Sequence, residues 1–133
     1  MKKIVITMII LVFAAGCTSS TEKLRDANRR NLTKLSIGMT KAQAIKSMGK
    51  KVRGGRFGEA LVNNPYKSEV IVRSNRTFEV IYYYTKLSNA FYTANDTNIS
   101  DDELTPLVFE DEILLGWGQD FLKSVKANSE KGL

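Results

Sequence analysis

Apolar and polar positions fall into distinct patterns along this chain. A basic head, Met1-Lys2-Lys3, precedes an apolar run from Ile4 to Ala15 that only Thr7 interrupts. About a dozen residues is the length of the apolar region of an export signal, and falls short of the roughly 20 that a helix needs to cross a bilayer. From Glu22 to Leu35 the spacing is helical. Leu24, Ala27, Asn28, Asn31, Leu32 and Leu35 share one side, while Arg25, Asp26, Arg29, Arg30 and Lys34 lie mainly on the other. Thr40-Lys41-Ala42-Gln43 reads as a capping box that opens a short helix, Lys41 to Met48. This helix is expected to turn Ala42, Ala44, Ile45 and Met48 inward, with Met39 as staple to Ala44 and Gly49 as terminator.

The period then shortens to two. Glu69 to Arg73 and Thr77 to Thr85 read as strands, the second dense in β-branched and aromatic residues, and Ser74-Asn75-Arg76 joins them in a hairpin. Alternation puts Phe78, Val80, Tyr82 and Tyr84 on one face and Glu79, Ile81 and Tyr83 on the other. Leu107 to Phe109 and Ile113 to Trp117 read as two more strands about the turn Glu110-Asp111-Glu112, and Phe121, Leu122 and Val125 mark a last amphipathic piece. Lys50 to Lys67, rich in glycine, asparagine and charge, reads as a long mobile loop with at most a short strand in Glu59 to Val62. Its glycines lack the spacing of a phosphate-binding loop.

Composition narrows the chemistry. The chain has no histidine and one cysteine, Cys17. Triads built on histidine, zinc sites of His or Cys, and disulfides within the domain are therefore excluded. Asp96, Asn98 and Ser100 imitate the start of a calcium loop, but Asp101 occupies the place of its glycine and Leu107 that of its last carboxylate. A helical turn capped by Ser100 and Glu103 is the preferred reading. The carboxylates of Glu110, Asp111 and Glu112 should splay apart on a tight turn and be solvated. No metal, cofactor or catalytic residue is expected, and the protein is read as not an enzyme.

Charge is mild. The full chain carries +6, and losing Lys2 and Lys3 with residues 1–16 brings it to +4. The basic residues are dispersed, which argues against a nucleic-acid partner.

The apolar run ends in Ala14-Ala15-Gly16-Cys17, followed by the polar Thr18-Ser19-Ser20-Thr21. That ending resembles a lipobox, in which a signal peptidase cuts before a cysteine already carrying diacylglycerol. Residues 1–16 are accordingly read as a lipoprotein signal peptide, 17–22 as a lipidated tether, 23–126 as the domain and 127–133 as a disordered tail. Lipid on Cys17 makes the membrane the first partner, because two or three acyl chains bind stably where one does so marginally. Thr18, which is not aspartate, points to the outer membrane and the periplasm in a host with two membranes.

Two segments carry a family resemblance. Leu35-Ser-Ile-Gly-Met-Thr-Lys-Ala-Gln-Ala through Gly49 is similar to the helix of the BamE-like (SmpA/OmlA) small lipoproteins of outer-membrane barrel assembly. Thr105-Pro-Leu-Val-Phe-Glu-Asp-Glu-Ile-Leu-Leu-Gly-Trp-Gly resembles the closing hairpin of related lipoproteins. With Tyr82-Tyr83-Tyr84 the likeness runs from about Leu32 to Gly118. It departs at Lys50-Lys51, where relatives often have proline, and at Asp111-Glu112, where they often turn on glycine. The resemblance implies an α+β, two-layer fold with two N-terminal helices packed on one face of a small antiparallel β-sheet. It implies a non-enzymatic envelope lipoprotein that binds or scaffolds other envelope components. The alternative on the same fold is a binding module such as a secreted-enzyme inhibitor or a lipid-headgroup binder. If Phe78, Val80, Tyr82 and Tyr84 pack under the helices, Ile81 and Tyr83 point outward as the partner-binding face; the other register makes Tyr83 core.

Overall fold

A computed structural model describes residues 20–50, 63–86 and 99–127 of the chain. Helix α1 spans Ser20–Leu32 and α2 spans Lys41–Met48. Strands β1 (Lys67–Arg73), β2 (Arg76–Tyr84), β3 (Leu104–Glu110) and β4 (Ile113–Trp117) follow, with a 3-10 turn at Asp101–Glu103 before β3 and helix α3 (Gln119–Ala127) after β4. The sheet is an antiparallel meander in the order β1-β2-β3-β4. Among the described residues this is an α+β fold in which α1 and α2 lie on one face of a small antiparallel sheet.

Local chemistry sets the corners. In α2 the Gln43 N–H donates to the Thr40 hydroxyl at 3.2 Å, and the Gln43 side chain accepts from the Thr40 N–H at 2.9 Å. Gly49 ends the helix at φ 86°, a conformation glycine adopts cheaply. Both hairpins close through two residues of positive φ, Ser74-Asn75 and Asp111-Glu112, the geometry that matches strand twist. Strand β3 begins three residues earlier than the sequence suggested, because Pro106 is tolerated inside it. The Pro106 carbonyl accepts from the Gly118 N–H at 2.8 Å, so its backbone faces the β4 side just past that strand's end, where no ladder donor is needed.

Two apolar clusters fill the two sides of the sheet. Leu35, Ala44 and Met48 meet Ile81, Tyr83, Leu107, Phe109 and Leu114 under α1 and α2. On the opposite face Leu122, with the half-buried Phe121 and Val125, covers Phe78, Val80, Tyr82, Tyr84 and Val108. Helix α3 thus adds cover to the sheet's second face. A register shift between Val108 and Phe109 leaves Leu115 as the extra residue on β4. The shift keeps Leu114 and Trp117 on the α1 and α2 side while Leu115 packs with α3. Each large side chain buried this way contributes about 1.5–3 kcal/mol.

Several sequence expectations are corrected here. Ile81 and Tyr83 are not an outward face: they are 3% and 0% exposed, in the core beneath α1 and α2. It is the other set, Phe78 to Tyr84, that lies away from those helices. Ala42 is exposed, whereas Ala44 and Met48 are buried and Ile45 is half-buried. Arg25, assigned to the polar side of α1, is buried. Helix α1 begins at Ser20, within the segment 17–22 expected as tether, and α3 includes Ala127.

Candidate functional site

The signal-peptide residues 1–16, Cys17, the Glu59–Val62 strand and Asp96 and Asn98 lie outside the described residues. Glu103, Glu110 and Glu112 among the remaining acidic candidates resolve into ion pairs and caps. Glu103 caps the 3-10 turn, accepting from the Ser100 N–H at 3.0 Å. Glu110 takes a two-pronged contact from Arg76, Nε to Oε1 at 2.6 Å and Nη2 to Oε2 at 2.5 Å. That pairing holds the Glu110 carboxyl below its usual range. Lys41 bridges Glu79 at 2.7 Å and Glu112 at 2.9 Å, and these hydrogen bonds raise its ammonium above the usual lysine range. Glu110 and Glu112 are thus drawn to different cations, Arg76 and Lys41. Among the described residues no group of three or more metal-ligating side chains is positioned to hold an ion.

What the structure does assemble is a polar latch between α1 and the ends of β2 and β3. Arg25 Nη2 donates to Glu103 Oε1 at 2.9 Å, with the Glu103 side chain 1% exposed. The Arg25 guanidinium carbon also lies 5.9 Å from the centre of the Tyr84 ring. One turn on, Asn28 is fully buried and donates to Asn64 Oδ1 at 2.9 Å and to the Tyr84 carbonyl at 2.8 Å. Arg29 donates to the Thr85 carbonyl at 2.8 Å, and the hydroxyls of Thr85 and Thr105 meet at 2.6 Å. Asn31 reaches the Met48 carbonyl at 3.1 Å and ties α1 to the end of α2. Positions 25, 28 and 29 face the sheet because they share one helical side. Sequence reasoning missed the latch because Arg25 and Glu103 stand 78 residues apart. The available signal was Asn28 and Asn31, polar residues on the apolar side.

The second feature is the rim of the sheet. The β4 edge is sealed by the chain before α2: Gly38 N–H donates to the Leu114 carbonyl at 2.8 Å, Leu114 N–H to the Met39 carbonyl at 2.9 Å, and Lys41 N–H to the Glu112 carbonyl at 2.7 Å. The β1 edge has no such partner among the described residues. It carries Val70 and Val72, each 65% exposed. A shallow groove of about 470 Å³ runs along α2, lined by Lys41, Ala42, Ile45, Lys46, Gly49 and Glu112 among others.

No helix among the described residues is long and apolar enough to cross a membrane. No curated protein and no solved structure matches the chain. A family model described as "Protein of unknown function (DUF3192)" matches residues 7–124, most of the chain's length, and the chain belongs to that family.

Proposed function

We propose that this protein is a non-enzymatic lipoprotein of the cell envelope, anchored through lipid on Cys17, that binds or scaffolds other envelope proteins. The observation that carries the reading is the short lead from Cys17 to a docked helix. The lipobox-like Ala14-Ala15-Gly16-Cys17 is followed by α1 at Ser20, three positions on. Three extended residues reach about 10 Å. Helix α1 is in turn bolted to the sheet by the Arg25–Glu103 pair and by Asn28. A lipid-anchored Cys17 would hold the whole domain against the bilayer surface, within reach of membrane-embedded partners.

Two further features support the reading. The likeness of Leu35–Gly49 and Thr105–Gly118 to BamE-like lipoproteins points to a role beside outer-membrane assembly or envelope integrity, with the domain facing the periplasm in a host with two membranes. Arg25 and Glu103 of the latch, and Glu110 and Glu112 beside the β3–β4 turn, are engaged in ion pairs and caps, which suits a structural use of their charge.

The test is metabolic labelling with a clickable fatty acid, followed by membrane fractionation and crosslinking in cells. The wild-type chain should take up label, stay with membranes and recover an envelope protein. Cys17→Ala should lose label and remain unprocessed. Label retained by Cys17→Ala, or a wild-type chain found free of membranes, refutes the anchor; recovery of one soluble enzyme in place of envelope proteins refutes the scaffolding role.

A further inference from the structure

We infer that the open edge of β1 is a self-association surface, on which a second copy of this chain pairs antiparallel, β1 to β1, to join two four-stranded sheets into one. This goes beyond the envelope-scaffold reading and does not require the lipid anchor.

The backbone dictates which groups are available. A two-residue hairpin turn makes its flanking residues, Arg73 and Arg76, a hydrogen-bonded pair, and such pairs recur at every second residue. Arg73, Ile71 and Glu69 therefore direct their backbone groups toward β2. Ser68, Val70 and Val72 direct theirs outward, to the edge that no described residue occupies. An edge strand is usually blunted by proline, a bulge or charges on its exposed side chains. Strand β1 contains no proline and pairs with β2 without a register shift. The side chains on its α1 and α2 face are Ser68, Val70 and Val72, with no charge among them.

Charge selects the occupant and the register. A two-fold axis at Ile71 sets Val70 opposite Val72 of the second copy as a hydrogen-bonded pair, each such pair exchanging both N–H···O bonds. The same axis sets Glu69 opposite Arg73 of the second copy, twice. An axis at Val70 would instead oppose Lys67 to Arg73 twice, like against like. Arg73 has no ion pair among the described residues, so it is available. Glu69 is engaged at one oxygen, by the Tyr82 hydroxyl at 2.5 Å and by Lys126 at 3.6 Å, and remains part exposed. The strand is thus complementary to itself in one register: two valine pairs on one face and two opposite-charge pairs on the other. Antiparallel strands opposite one another present the same face. Both copies therefore keep α1 and α2 on one side of the joined sheet.

The experiment places a photo-crosslinking amino acid at Val72 of the full-length chain in cells, and reads the mass of the product. The expected product has twice the mass of the chain. Arg73→Glu opposes Glu69 to the new carboxylate, and Glu69→Lys opposes Arg73 to the new ammonium. Each variant alone should lower dimer yield about tenfold. Co-expressing the two restores both attractive pairs and should restore the yield, read with distinguishable tags. Thermal melts of each variant establish that it folds; Arg73→Glu in particular removes no side-chain hydrogen bond or ion pair among the described residues. A crosslink to a different protein, absence of any product, or yields indifferent to charge reversal in folded variants would each overturn the proposal.

Discussion

Tyr83→Phe tests the core with a single atom. The Tyr83 side chain is fully buried, and its hydroxyl has no hydrogen-bond partner among the described residues. Burying an unpaired hydroxyl costs about 1–3 kcal/mol in proteins, and removing it while keeping the ring preserves nearly all the packing against Leu107, Phe109 and Met48. The expected gain is about 1 kcal/mol, which for a domain near 100 residues raises Tm by about 4–8 °C. A second reading comes from pH. Burial pushes the Tyr83 phenol up to about 12, against about 10 when unfolded. A phenol whose pKa is higher in the folded state favours folding fully below pH 10. That contribution is lost as pH rises from 10 toward 12, at about 1.4 kcal/mol per pH unit once the unfolded phenol ionises. Phe at this position removes the contribution of Tyr83, leaving those of Tyr82 and Tyr84, whose phenols burial also raises. The assay is urea unfolding at pH 7 and pH 11, followed by Trp117 fluorescence and circular dichroism. Tyr83→Phe should be more stable than wild type at both, with the larger margin at pH 11. A variant less stable by 1 kcal/mol or more at pH 7 would show that the hydroxyl has a partner and that the reasoning is wrong.

Arg25→Met removes one partner of the buried Glu103 carboxylate, which keeps its cap on the Ser100 N–H, so it should cost about 1.5–3 kcal/mol and lower Tm; adding Glu103→Gln should recover part of the loss in a double-mutant cycle. Gly116→Ala would set a methyl 2.9 Å from atoms of the Phe121 ring, and a loss of about 1–3 kcal/mol in chemical denaturation is expected, because the ring must give way to admit it. Melting curves in calcium and in chelator should coincide. A shift of more than a few degrees in micromolar calcium would mean that the segment from Asp96 to Glu103 holds the ion after all.

Much of this architecture is legible in the sequence where local chemistry decides it. The α2 capping box, its glycine stop and the two hairpins follow from residues within four positions of one another. What failed is the facing of β2. The sequence Phe-Glu-Val-Ile-Tyr-Tyr-Tyr offers one charge, and Glu79 made its own face look like the wet one. In the structure Glu79 lies in the half of the inner strand β2 nearer the hairpin turn, where the Lys41 ammonium takes it at 2.7 Å, while Ile81 and Tyr83 further along the same face are sealed under two helices. One charged residue on a strand reports its own surroundings alone. The burial of Arg25 was illegible for the opposite reason. A helix with Arg25, Asp26, Arg29 and Arg30 reads as basic outward, and only the distant Glu103 turns one of them in.

Facing also bears on where the protein can work. A small sheet with helices on one side would ordinarily leave its other face for a partner. Here α3 covers that face, and β2 and β3 are buried on both sides along most of their length. A partner must therefore meet the rim of the sheet, the outer sides of the helices or the segments that join them. Of the two rims, residues 38–41 close β4, while among the described residues nothing pairs with the outer edge of β1, where Val70 and Val72 are exposed. The latch draws α1 to the opposite ends of β2 and β3 from the turns, through Tyr84, Thr85 and Glu103. An anchor at Cys17 would then enter the domain at the α1 end while the edge of β1 stays unobstructed by the latch. The proposed anchor lies ahead of α1 in the chain and the proposed association edge lies on β1, so Cys17→Ala should abolish lipid attachment without changing the pairing preference encoded by Glu69 and Arg73.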